Sequence, residues 1–381
     1  MKQINPAIAP LGYSPKRELS GMLRPMGGRL KETLDWRKIG PQWSSRYQAL
    51  RSQFSPSTKD VLITPTGTYP SIPRGVVLMA DGRVFSVPSD STTARIYDPI
   101  FDTLITPSGT YPTTYSFISG VLLRDGRVFC VPYNSTTARI YDPISDTLIT
   151  PSGTYPANYA FSGGVLLLDG RVFCVPYNTT TARIYDPISN TLITPSGTYP
   201  TNYSFSGGVL LLDGRVFCVP FSSTTARIYN PINDTLTTPA GTYPGNNDFM
   251  SGVLLSDGRV FCIPYNSTTA RIYDPISNTL ITPAGTYPGS GAFISGILLP
   301  DGRVFCVPYN SITARIYDPI SDTLITPSGT YPGGGAFFGA VLLLDGRVFC
   351  GARGSSTARI WDGGYPLQSK ARCLSAYDNK Y

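Results

Sequence analysis

The tripeptide Asp-Gly-Arg recurs at Asp81, Asp125, Asp169, Asp213, Asp257, Asp301 and Asp345, always 44 residues apart. Seven copies without drift in period require seven copies of one structural unit, so the chain must fold as a row or ring of near-identical parts. Within Val165–Pro200, Val165–Leu168 is apolar, Asp169-Gly170 predicts a two-residue hairpin turn, and Arg171–Val175 is rich in β-branched and aromatic residues. Pro176–Thr180 predicts a second turn and Ala182–Tyr185 a third strand. After the turn Asp186-Pro187-Ile188-Ser189, Leu192–Thr194 predicts a fourth, outer strand closed by Pro195. Gly163-Gly164, ahead of the first strand, suits the crowding expected near a central axis.

The repeat begins out of phase. Val61–Pro70 matches the end of a unit, whereas the last copy stops at Asp362-Gly363-Gly364 without its closing Leu-Ile-Thr-Pro. The surplus first piece therefore supplies the missing last piece, as in a closed ring that leaves no sheet edge to cap. Four antiparallel strands per unit give an all-β fold, a seven-bladed β-propeller of 44-residue blades in which an N-terminal strand closes the last blade. The expected organisation is a basic arm with short helices over 1–58, the propeller over 59–363 and a tail over 364–381.

The run Leu-Asp-Gly-Arg-Val-Phe, then Ala-Arg-Ile-Tyr-Asp-Pro, then Thr-Leu resembles the kelch and galactose-oxidase-like propeller repeat, and the likeness covers about residues 61–362. It departs where that family has a double glycine after the second strand, here Val175-Pro176-Tyr177, and where the family often has Trp in the outer strand, here Leu192. A copper oxidase of that kind needs imidazole ligands, and this chain contains 0 His. The same absence removes the commonest general base and the serine-type triad. Because nearly every polar residue is copied round the ring, whereas a catalytic site is asymmetric, the chain is expected not to be an enzyme and to need no cofactor or metal. Asp142 and Asp146, like Asp318 and Asp322, share a spacing open to calcium, but turn formation is the simpler role. Arginines such as Arg171 and Arg183 are expected to pair with repeated aspartates within or between blades.

Charge is localised. Residues 1–60 hold 11 Lys/Arg against 4 Asp/Glu, which is the whole formal surplus of +7, so the repeat region is neutral and offers no basic groove for specific nucleic-acid binding. The arm is broken by Pro6, Pro10, Pro15 and Pro25, and Trp43, Tyr47, Leu50 and Phe54 recur at helical spacing. These residues, with Trp36, are expected to dock the arm on a partner. Six of 7 cysteines occupy one repeat position, Cys130, Cys174, Cys218, Cys262, Cys306 and Cys350, and read as buried free thiols. No apolar signal region follows Met1 and no run of 18 apolar residues occurs, so neither secretion by a signal peptide nor membrane insertion is expected. Asn-x-Thr sequons at Asn134, Asn178 and Asn266 read as by-products of the repeat.

Strand alternation divides the loops between two faces. One carries tyrosine, asparagine and hydroxyl side chains, among them Tyr115, Tyr159, Tyr203, Asn134, Asn178 and Asn266, a surface suited to protein contact or sugar stacking. Near-identical copies, intracellular thiols and a basic arm resemble propeller proteins of bacteriophage particles. That resemblance implies a structural or assembly protein of the virion, at the tail, head–tail junction or capsid surface, assembled in the host cytoplasm and joined to other virion proteins through the arm. A glycan- or host-receptor-binding propeller, and a cytoplasmic kelch-type interaction scaffold, remain as alternatives.

Overall fold

The computed structural model describes residues 60–69, 73–112 and 115–365. These form seven four-stranded antiparallel sheets and no helix. The third blade shows the plan, with strands Phe161–Leu166, Val172–Pro176, Arg183–Asp186 and Thr191–Ile193 running in order from the axis outward. Its register pairs Val165 with Phe173, Phe173 with Ile184 and Tyr185 with Leu192. The first strands of adjacent blades pack against one another round the whole ring, so they line the axis. Second strands are buried throughout, whereas outer strands such as Thr191–Ile193 are mostly exposed.

Ring closure follows the phase of the repeat. Val61–Ile63 pairs antiparallel with Arg359–Asp362, placing Leu62 beside Trp361, and so becomes the outer strand of the seventh blade. Just before it, Asp60 accepts hydrogen bonds from the Ser328 N–H at 2.7 Å and the Trp361 indole N–H at 2.9 Å. The same clasp recurs between the other blades, where a third-strand tyrosine replaces Trp361. Tyr141 Oη donates to Asp146 at 2.9 Å, and Asp146 accepts the Ser108 N–H of the preceding blade's end at 3.0 Å. Each clasp residue sits at positive φ, from Asp102 at 49° to Asp60 at 60°, a conformation that Asp and Asn tolerate better than most side chains.

The core lies between blades. Val165, Leu167, Phe173, Val175 and Ile184 of the third blade meet Tyr199, Phe205, Val216, Cys218 and Tyr229. Phe173 stacks on Tyr229 with centroids 4.9 Å apart. The six repeat cysteines are free and fully buried, as their position among apolar residues predicts.

Two local expectations are corrected. The first strand begins at Phe161, not Val165, and runs through both glycines. A Cβ on Gly164 would lie 2.7 Å from Val121 Cγ2 and 2.8 Å from Val131 Cγ2, so glycine here makes room for the preceding blade and is no strand boundary. The hairpin is not a two-residue Asp-Gly turn. Gly170 N–H donates to Leu167 O and Leu167 N–H to Arg171 O, with Gly170 at φ 90°, so Leu168 and Asp169 form the turn and Gly170 the left-handed residue that closes it.

Candidate ligand-binding face

The loops before the first strands and after the second strands share one face and are tied together by their backbones. Tyr177 N–H donates to Ala160 O at 2.7 Å, and Tyr177 O accepts from Ser204 N–H of the next blade at 3.0 Å. This belt fixes the residue that follows each second strand. Five blades place an aromatic there, Tyr133, Tyr177, Phe221, Tyr265 and Tyr309, with consecutive centroids 6.2, 6.0, 6.1 and 5.8 Å apart. The remaining two blades place Ser89 and Arg353 at the same position. Burial pushes the phenols of Tyr177 and Tyr265 up. At Tyr133 burial also raises the phenol, against the pull of the nearby Arg74 guanidinium.

Above this annulus stand three of the tyrosines singled out in the sequence. Tyr159 lies 4.8 Å from Tyr133 and Tyr203 lies 4.8 Å from Tyr177, both tilted, while Tyr115 packs against Arg74. All three adopt left-handed backbone, with φ of 57°, 60° and 59° for Tyr115, Tyr159 and Tyr203. The next three blades carry Asn247, Gly291 and Gly335 at that position, so one arc of the rim is tiled with tyrosine and the other is open. The asparagines named with them stand on the same face but serve the loops. Asn134 Oδ1 accepts from Asn158 N–H at 3.1 Å, Asn178 Nδ2 donates to Asn158 O at 3.1 Å, and Asn266 Oδ1 accepts from Gly291 N–H at 2.9 Å.

Other features were missed at the level of sequence. Arg74, the second residue of its first strand, has Ile118, Ser162, Ser206, Met250, Ile294 and Phe338 as its counterparts at 44-residue spacing. Its Cζ lies 4.9 Å from the Tyr133 centroid, 5.1 Å from Tyr115 and 5.3 Å from Phe338. Arg353 Cζ lies 5.0 Å from Phe338 and 5.2 Å from Tyr309, to whose hydroxyl Nη1 donates. Comparing the seven copies column by column would have revealed both arginines, because each is charged in one blade alone.

The opposite face differs in chemistry. There each hairpin arginine is spent on its own turn, as Arg171 is on Asp169 at 2.6 Å, which is the pairing expected of this ring. Arg183 departs from that expectation and donates to Thr181 Oγ1 and Ala182 O instead of to a carboxylate. Of the aspartates weighed as calcium ligands, Asp142 accepts from Ile144 N–H at 2.9 Å and Asp146 belongs to the interblade clasp. Among the described residues no three His, Cys, Asp or Glu side chains gather as a metal site. Trp36, Trp43, Tyr47, Leu50 and Phe54 lie outside the described residues.

No protein-family model matches the chain, and no curated protein matches it. Among solved structures it is similar to virginiamycin B lyase from Staphylococcus aureus, with a TM-score of 0.66 and 10% identity over 79% of this chain and 98% of that one. A fungal alcohol oxidase of the AA5 family, solved in complex with copper, gives 0.62 and 14% identity over 81% and 76%. The extracellular domain of a putative hybrid two-component system from B. thetaiotaomicron gives 0.60 and 9% identity over 77% and 40%. At such identities the likeness establishes the propeller fold. It also overturns the expectation that the chain is not an enzyme, because this fold carries catalysis in a lyase and in an oxidase. The premise of that expectation also has exceptions. Polar residues are not all copied round the ring, since Arg74, Arg353 and Asp248 are charged in single blades of the loop face.

Proposed function

We propose that this propeller is a recognition module that binds carbohydrate on its loop face. The observation that supports this reading is the left-handed backbone of Tyr115, Tyr159 and Tyr203 above the aromatic annulus. Holding a bulky residue there costs roughly 1–2 kcal/mol relative to glycine, and such strain is kept where the side chain it projects is used. Blades six and seven relieve it with Gly291 and Gly335, so the fold itself does not demand tyrosine at this position. Rings bordered by amides and hydroxyls offer an apolar face for a pyranose and hydrogen bonds for its edge. On an array of neutral and acidic glycans the full chain is expected to bind, and Tyr159→Ala and Tyr203→Ala each to weaken that binding about tenfold or more at unchanged melting temperature. Full affinity in both variants, or no binding to any glycan, refutes the reading.

A second reading concerns where the disc is held. The surplus of charge in residues 1–60 against a balanced remainder favours docking of the arm on an assembly, for which a bacteriophage virion put together in the host cytoplasm is our candidate. Recovery of the chain in stoichiometric amount from purified particles, with residues 1–58 protease-resistant only there, supports it. A monodisperse free monomer that never associates with particles refutes it.

A further inference from the structure

Where the first and seventh blades meet on the loop face, two guanidiniums flank one phenyl ring. Arg74 and Arg353 approach Phe338 at 5.3 and 5.0 Å, and Tyr115, Tyr133 and Tyr309 complete the aromatic surround. Neither arginine has a carboxylate within ion-pair distance among the described residues, in contrast to the hairpin arginines, each of which is paired with its own turn aspartate. Both Nε atoms are buried without a hydrogen-bond partner among the described residues. A guanidinium held over aromatic rings keeps its charge and gives up water where it meets them. Its remaining in-plane N–H groups then form a rigid fork matched to a planar oxyanion. A cation held in this way without a counter-charge is costly unless an anion arrives to complete it.

We propose that this seam of the loop face binds the carboxylate of an acidic sugar, with Arg74 and Arg353 as its ligands and Phe338 as the floor between them. The inference rests on the carbohydrate reading and narrows it to uronic or sialic acid residues. The aromatic annulus runs on from Tyr133 and Tyr309 in either direction, so a sugar whose carboxylate sits at the seam has rings on both sides for its neighbours in a chain. Repetition alone would have placed Ile or Ser at position 74 and Tyr at position 353, so the two charges belong to this seam and not to the blade.

Titration calorimetry of the full chain with a short oligogalacturonate, and with the same oligomer after reduction of its carboxylates to alcohols, tests the assignment; sialyllactose and lactose form a second pair. The acidic member is expected to bind at least about tenfold more tightly, with the difference shrinking as salt is raised. Arg74→Gln and Arg353→Gln should each remove most of that difference while leaving the affinity for the neutral member within about threefold of wild type. Arg74→Met and Arg353→Met retain an apolar stem against the rings and give the same readout should a glutamine variant fold poorly. Equal affinity for acidic and neutral members, persistence of the difference in all four variants, or preference for a sulfated over a carboxylated sugar overturns the proposal. If the neutral sugars bind through Tyr159 and Tyr203 with no acidic preference, only this inference falls; if no sugar binds, the carbohydrate reading falls with it.

Discussion

The interface between the seventh and first blades reverses the packing used elsewhere in the ring. At the other interfaces a small first-strand residue faces a branched second-strand residue of the preceding blade, as Gly120 faces Val87 and Gly208 faces Val175. A Cβ on those glycines would come within 3.0 Å and 2.8 Å of the valine Cγ2. At the seam the partners are exchanged: Val76 stands on the first strand and Gly351 on the second, and a Cβ on Gly351 would lie 2.5 Å from Val76 Cγ1. Gly351→Val therefore drives one isopropyl group into another and should cost about 3 kcal/mol, at the upper end for overpacking. Val76→Gly leaves a gap of three carbons and adds a flexible strand residue, again about 3 kcal/mol. The double variant rebuilds the arrangement of the other interfaces and should return to within about 1 kcal/mol of wild type, a coupling of about 5 kcal/mol in a double-mutant cycle. Calorimetric melting of the four proteins measures it, with each single variant falling by several degrees at about 2 °C per kcal/mol. Simple additivity of the two losses would refute the exchange as the reason for Gly351.

The closure clasp should also be measurable. At Asp60 burial raises the carboxyl but is outweighed by hydrogen bonds from Ser328 N–H and the Trp361 indole; at Asp146 the Ser108 hydroxyl leads, with its N–H and Tyr141 adding to the lowering. Folded values held below the unfolded one mean that this stability is complete above about pH 4 and is lost as pH falls through the folded values. Denaturation midpoints should be flat toward neutrality and fall only in that acid range, and Asp60→Asn should flatten part of the fall; an unchanged acid profile in that variant contradicts the assignment. Burial also pushes the thiols of Cys130, Cys218 and Cys262 up to about 12, so a thiol reagent should leave the six repeat cysteines untouched in native protein and modify all of them in denaturant.

How far the sequence speaks depends on whether a residue's meaning is local. The period, the turn residues and the out-of-phase Val61–Pro70 are local signals, and they predict seven blades, four strands each and the identity of the closing strand. Gly164 is not local: it reads as a residue ahead of the first strand until the preceding blade supplies Val121 and Val131 beside it. Asp146 reads as a turn former until Ser108, 38 residues earlier, is seen to donate to it from the neighbouring blade's end. The tyrosines of the loop face were legible because they vary at a loop position, but the cost of placing them there lies in φ, which no composition reveals.

Repetition is also what hides the one-off residues. Seven near-identical blades give every interface the same apolar core, so a single substitution changes little in the pattern of the chain and much in the ring, where it always meets the same two neighbours. Val76 with Gly351 makes one interface unlike the rest, and Arg74 with Arg353 places charge at that same interface, on the loop face. Closure of the ring by Val61–Ile63 on the seventh blade sets blade one against blade seven, and so lets two arginines, 279 residues apart in the chain, share Phe338. A ring built only for symmetry would need neither. Asymmetry confined to the seam and the loop-face rim therefore marks where this propeller departs from scaffold, and it removes the argument that a chain of copies can hold no specific site.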